Sequence, residues 1–252
     1  MRLGIISALH EEQQGLVEAM QSPYKRIHGM REVWTGQLWE IDAVCVLSRI
    51  GKVAAAMTAT LLVERFGVTH IVFTGVAGSG DPTVRVGDVV VAESLVQHDM
   101  DASPLFPRHE VPLTGQSRFL SDRQLALQLG HATRHFLDTE FAEVIDPQER
   151  AVFALQAPRL HGGLIASGDQ FVGGRERIKA LGEALPGLLA VEMEGAAVAQ
   201  VCFELGIPFA VIRTISDNAN ENAATDFMAF VKNVASRYAF GIIENFCRSH
   251  AG

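Results

Sequence analysis

Cysteine is scarce: the chain has three in 252 residues, Cys45, Cys202 and Cys247. Their number is odd, and no pair has zinc-like or redox-like spacing. That excludes a disulfide framework and fits reduced thiols in a cytoplasmic protein. No apolar run reaches the ~18 residues of a membrane span. Met1-Arg2-Leu3 leads straight into an apolar strand, without a signal-peptide cleavage pattern. Basic charge is also short: 21 Lys and Arg stand against 29 Asp and Glu, for a net charge of −8. With no basic stripe, a nucleic-acid partner is not expected. Linkers rich in Pro, Gly or Ser, internal repeats and low-complexity segments are missing. So is a Walker A motif. The glycines at 75, 78 and 80 are not in G-x-G-x-x-G order, so no dinucleotide cofactor is expected. The cluster His98-Asp99-Met100-Asp101 is too compact for a metal centre, and no metal is expected.

What is present is a large apolar fraction, 48% of residues, which suits one domain with a sizeable core. Short apolar runs read as strands at Leu3–Ala8, Ile41–Ser48, His70–Thr74, Gly162–Ser167 and Pro208–Ile215. Glu32–Gln37 and Val86–Val96 read as further strands. Helical patterns cover His10–Met20, Gly51–Phe66, Asp122–Asp138, Arg175–Leu185, Met193–Leu205 and Thr225–Phe246. Gly75–Gly80 reads as a tight turn, and Gln97–Leu120 as an irregular loop. The alternation predicts an α/β fold: a three-layer α/β/α sandwich around a mixed central sheet.

The stretch Ala190–Asn220 carries acids where a buried segment should have none. Glu192 and Glu194 open an apolar helix, and Asp217 ends the apolar strand after it. An unpaired buried carboxylate costs several kcal/mol, so such acids need partners, a shifted pKa or a task. Two residues apart on a helix, Glu192 and Glu194 point about 200° from each other and should differ in role. One can bond backbone or Arg213 while the other faces a site. Glu12 follows the first strand. Taken alone, it reads first as an acid at a helix N-terminus, which does not exclude a carboxylate able to take a proton from water. Asp217 alone reads as an Asx-turn residue. Together at strand ends of one sheet, the three become candidates for proton handling.

In order along the chain stand Glu11-Glu12, Ser48–Ala56, Thr74-Gly75-Val76-Ala77-Gly78, Val86–Val90, His98–Asp101, Ser167-Gly168-Asp169, Val191–Glu194 and Ile215-Ser216-Asp217. This series resembles the 5′-methylthioadenosine/S-adenosylhomocysteine nucleosidases of the nucleoside phosphorylase superfamily. The resemblance implies hydrolysis of an N-glycosidic bond to release adenine. It implies Asp217 as general acid at adenine N7, positioned by Ser216, and Glu12 as the base for the attacking water. Glu194 would bind the ribose hydroxyls, Met193 would pack on the sugar, and Arg213 would neutralise and orient the acids. Phe171 would stack on the purine and the Val172 backbone read its edge. Leu9 and Ile50 would line the pocket for the 5′-thioalkyl group. A homodimer is expected from the same resemblance and from the apolar helix face at Val53–Leu62.

The pattern is broken in two places. Val76 stands where the family usually has a small hydroxyl residue, and 101–161 is a divergent insertion. In relatives that region reaches the neighbouring subunit's pocket; Leu105 and Phe106 stand near the family's aromatic. Three rival readings remain at this stage. A phosphorylase of the same fold needs cations around phosphate. Phe73 and Val76 are apolar where such enzymes carry Arg and Ser, but Arg49 replaces a usual glycine and could restore phosphate affinity. A hydrolase for another purine nucleoside, such as a futalosine-like substrate, is the second. A non-catalytic binding or storage protein is the third, and three retained acids speak against it.

Overall fold

The uninterrupted apolar runs become strands that are buried on both faces, which is why their sequences do not alternate. The computed structural model describes residues 1–13, 15–219 and 223–250. Gln14, inside the expected first helix, and Asn220, at the end of the acid-bearing stretch, lie outside the described residues. The chain runs β1 (Arg2–Ser7), α1 (His10–Gln13), α2 (Leu16–Ala19), β2 (Gln21–His28), β3 (Arg31–Leu38), β4 (Ile41–Leu47), α3 (Lys52–Phe66) and β5 (His70–Ser79). Then come β6 (Val89–Gln97), β7 (Phe119–Leu120), α4 (Arg123–His135), α5 (Phe141–Val144), α6 (Pro147–Val152) and β8 (Leu160–Ser167). The last part is α7 (Arg175–Ala184), β9 (Leu188–Glu192), α8 (Gly195–Leu205), β10 (Phe209–Asp217), α9 (Ala223–Phe230) and α10 (Ser236–Arg248).

The ten strands form one mixed sheet in the order β10-β6-β8-β9-β5-β1-β4-β3-β2, with β7 beside β6. An added β10–β5 pairing closes five of these strands into a ring. β5 runs parallel to both β1 and β10, so three strand ends point the same way. Helices cover both faces. Leu3, Ile5, Val72 and Ile212 pack under Phe230, Tyr238 and Phe246, which belong to the layer holding α9 and α10. Ile6, Ile71, Phe73 and Val211 pack on the other side against Ala59 of α3 and Ala196, Ala199 and Cys202 of α8. No helix among the described residues is long and apolar enough to cross a membrane.

Three local expectations are corrected, and strand β2 falls where none is expected. His10–Met20 is two four-residue helices, because Gly15 takes the left-handed φ of 90° before the second begins. Gly75–Gly80 is no turn: β5 continues through it to Ser79. Its glycines serve close approach instead. A Cβ on Gly75 would sit 3.0 Å from Glu12 Oε1, one on Gly78 3.0 Å from Asp217 Oδ1, and one on Gly80 2.8 Å from Leu188. Helix α8 starts at Gly195, not Met193, and Glu192 ends strand β9. The contrast between Glu192 and Glu194 therefore comes from a strand-to-helix junction, not from helical period. Finally, β2 is a strand that periodicity does not reveal, since all eight of its residues are exposed.

Candidate active site

Open α/β sheets bind ligands beyond the carboxyl ends of their strands. Here a cleft opens there, lined from the ends of β1, β4, β5, β8, β9 and β10 and the segments that follow them. Leu9, Glu12, Ile50, Val76, Phe171, Val172, Met193, Glu194 and Asp217 share its walls. Arg213 and Ser216 do not line it; they stand behind the acids.

Glu12 turns back from α1 onto the end of β1. Its Oε2 accepts the Ala8 and Leu9 N–H groups at 2.8 and 2.9 Å, and Oε1 accepts the Val76 N–H at 3.1 Å. A carboxylate has about four acceptor sites, so one stays open for water. Burial raises the pKa of Glu12, opposed by the Leu9 amide, the Arg213 cation and the other two N–H donors. The result is an anchored carboxylate that is a stronger base than one in water.

Glu192 and Glu194 meet opposite partners. Glu192 Oε2 holds Arg213 Nη2 at 2.7 Å and Nε at 3.3 Å, while Ser167 Oγ and the Gly195 N–H bind the same carboxylate. Arg213 is 1% exposed. It gives its Nη1 protons to the Phe73 and Ile212 carbonyls and stacks 4.1 Å from the Phe73 ring centre. Four of its roughly five N–H donors are thus consumed. Among the described residues, no cationic side chain is bonded to Glu194. Its Oε1 accepts the Gly51 N–H at 2.7 Å. Burial first, and then the charge of Glu192, push Glu194 up to about 8.

Asp217 closes β10 and is 2% exposed. The Ser216 hydroxyl donates to its Oδ2 at 2.8 Å and the Ala219 N–H to its Oδ1 at 2.9 Å, which fixes the carboxyl plane. Burial raises its pKa against both of these bonds. A carboxyl held this way keeps its proton to higher pH and can give it to a base in the cleft.

The apolar walls contain two residues of particular interest. Phe171 meets Phe227 of α9 edge to face, with ring centres 5.9 Å apart at 76°. Together they form an aromatic flank suited to a flat ring. Phe227 was not foreseen. Its signal, one aromatic in a helix-forming segment, does not distinguish a cleft wall from core. Gln170, Ala77 and Gly78 also line the cleft without having been singled out.

Cations are missing from the lining. Among the described residues the cleft shows four carboxylates, Glu12, Glu192, Glu194 and Asp217, and no Lys, Arg or His. Arg49 lies outside it and donates to the Met30 carbonyl at 2.6 Å. His98 to Asp101 are also elsewhere: Asp99 pairs with Lys52 at 2.6 Å, and Asp101 accepts from Ser103.

Comparison with known proteins agrees with this geometry. The family model of the phosphorylase superfamily matches residues 2–247. A 5′-methylthioadenosine/S-adenosylhomocysteine nucleosidase of Shewanella denitrificans is 33% identical over 245 residues, 96% of this chain and 97% of that protein. The enzyme of the same name from Neisseria meningitidis, solved with methylthio-immucillin-A, superposes with a TM-score of 0.86 at 32% identity, covering 98% and 99% of the two chains. The futalosine hydrolase of Helicobacter pylori superposes with a TM-score of 0.82 at 32% identity, covering 97% of each chain. By sequence and by fold, this chain belongs to the 5′-methylthioadenosine/S-adenosylhomocysteine nucleosidase family of the phosphorylase superfamily.

Proposed function

We propose that the protein hydrolyses the N-glycosidic bond of 5′-methylthioadenosine and S-adenosylhomocysteine, releasing adenine and the thioribose. One observation carries water over phosphate: the cleft has four carboxylates and no cation among its described residues. A phosphate dianion there would meet the Glu12 carboxylate and no Lys, Arg or His in the lining to hold it, whereas water needs the base that Glu12 offers.

Cleavage builds an oxocarbenium-like ribosyl cation, as in glycoside hydrolysis. Asp217 protonates adenine N7, which turns a poor anionic leaving group into a neutral one. Burial raises its pKa, so it holds that proton to higher pH than an ordinary aspartate does. Glu12 takes a proton from the attacking water through its open acceptor site. Glu194 binds the ribose hydroxyls, Met193 packs on the sugar, and the Glu192–Arg213 pair holds the junction that presents them. Phe171 and Phe227 flank the purine, the Val172 backbone reads its edge, and Leu9 and Ile50 receive the 5′ substituent.

The site works in a homodimer, in this reading. Ile50, Val53 and Met57 form an apolar strip at the start of α3 beside the cleft and are 55%, 82% and 51% exposed. Leu105 and Leu113, from 101–161, are 84% and 93% exposed. A second copy of the chain is the occupant we infer for this exposed apolar surface, as the resemblance implies. Three buried, unpaired cysteines suit a reducing cytoplasm.

Adenine release from methylthioadenosine, measured with and without inorganic phosphate, tests the reaction. Equal rates are expected, and turnover that requires phosphate refutes hydrolysis. The likeness to a futalosine hydrolase makes futalosine the second substrate to assay. Faster cleavage of futalosine than of methylthioadenosine would reassign the substrate and leave the chemistry intact.

A further inference from the structure

Helix α3 begins without a cap of its own. Gly51 supplies no side chain, and the first turn has no acid. Its leading N–H groups must still find acceptors. Both come from distant carboxylates: Glu194 Oε1 takes the Gly51 N–H at 2.7 Å, and Asp169 Oδ1 takes the Lys52 N–H at 2.8 Å. These two N–H groups belong to the peptide planes on either side of the Gly51 Cα. Gly51 has φ 97°, a conformation that only glycine adopts freely. A glycine this permissive holds its two planes in one arrangement only when both are restrained, one by Glu194 and the other by Asp169.

That restraint is itself closed into a ring. The Asp169 N–H donates to Asp99 Oδ2 at 2.9 Å, and Asp99 Oδ1 holds Lys52 Nζ at 2.6 Å. Lys52 Nζ also donates to Gln97 Oε1 at 3.1 Å. The ring joins the start of α3 to the segments after β6 and β8. The segment after β8 continues directly into Gln170, Phe171 and Val172 on the cleft wall.

We propose that Lys52, Asp99 and Asp169 form a positioning clamp that fixes the Gly51 N–H on Glu194 and keeps the sugar-binding carboxylate in register with the base-binding segment. The inference rests on the reading of Glu194 as the ribose ligand. Asp169 is exposed, and its cap on the Lys52 N–H is a small part of what holds a domain of this size together. The clamp therefore acts mainly on turnover.

The test measures kcat, KM and thermal stability for Asp169→Ala, Asp169→Asn and Lys52→Met, on methylthioadenosine and on its 2′,3′-dideoxy analogue. Losing the cap on Lys52 N–H is expected to lower kcat/KM for methylthioadenosine about tenfold in Asp169→Ala, mainly through kcat, with Tm within about 4 °C of the parent. On the dideoxy analogue, which offers Glu194 no hydroxyl, the loss should fall within about twofold. Asp169→Asn keeps an oxygen for the Lys52 N–H and should recover most of the activity. Lys52→Met should lose about threefold. An equal loss on both substrates, or a large fall in Tm, overturns the clamp in favour of a general structural role. Hydrogen exchange of the Gly51 amide reports on the clamp without turnover. Faster exchange in Asp169→Ala is expected, and unchanged exchange overturns the proposal. Failure of the parent enzyme to cleave methylthioadenosine would refute the functional reading and leave that exchange test standing.

Discussion

Glu192 and Glu194 are the same residue type, two positions apart, 8% and 5% exposed, yet the fold uses them in opposite ways. Glu192 is saturated: Arg213, Ser167 and the Gly195 N–H occupy its oxygens. Glu194 takes one backbone N–H and is pushed up to about 8. The first is an internal strut whose charge is cancelled on the spot. The second keeps a part-satisfied carboxylate in an apolar cleft, which costs stability and creates affinity for hydroxyl groups. Burial alone therefore does not mark a catalytic acid; burial without a cation does.

Asp217 belongs with Glu194 on that criterion, and its removal should give the largest effect. Asp217→Asn is expected to lower kcat by two to four orders of magnitude while adenine still binds, as measured by turnover and calorimetry. Near-normal turnover would move Asp217 to the structural side of the contrast. The pH profile should agree: activity falls on the alkaline side as Asp217 loses its proton, at a pH above the ordinary aspartate range.

Stability measurements sharpen the pair itself. Glu192→Gln leaves the buried Arg213 cation unpaired and should cost about 3–5 kcal/mol in urea denaturation. Glu194→Gln should do the reverse at alkaline pH. A folded-state pKa raised from 4.5 to about 8 means that the native state binds the proton more tightly than the unfolded chain. Its burden on stability is absent below the unfolded value, grows as pH rises through that window, and is complete above the folded value. Gln removes the burden, so Glu194→Gln should melt higher than the parent at pH 9, by about 3 °C or more, and no higher at pH 4. Destabilisation by both variants at pH 9 would erase the distinction.

Arg49→Ala should have the smallest effect. Its guanidinium bonds to the Met30 carbonyl away from the cleft, so kcat/KM should stay within about twofold with and without phosphate. A loss confined to assays with phosphate would bring Arg49 into the site.

Much of the fold is legible in the sequence where local pattern and packing agree. β1, β4, β10, α3 and α8 are apolar runs of the right length and turn out as such. β2 is invisible because its residues are all exposed and carry no periodic signal. Gly75–Gly80 misleads for another reason: local rules associate clustered glycines with turns, while here they make room for Glu12, Asp217 and Leu188, which arrive from 63, 139 and 108 residues away counting from Gly75, Gly78 and Gly80. Glu192, Glu194 and Asp217 are legible because charge in apolar surroundings is conspicuous; Glu12 sits among polar residues and is legible only from its place after the first strand and from the family resemblance. Phe227 was not, because an apolar wall residue looks like core until the opening beside it is seen.

The bare β5 backbone has a further meaning. At Gly75 and Gly78 the strand is a mould whose hollows have the shape of two carboxyl groups. One methyl at either position would tilt Glu12 or Asp217 without adding a charge or opening a cavity. In a mutational screen the outcome would be a soluble, well-folded, silent protein, its defect lodged at residues that carry no functional group at all.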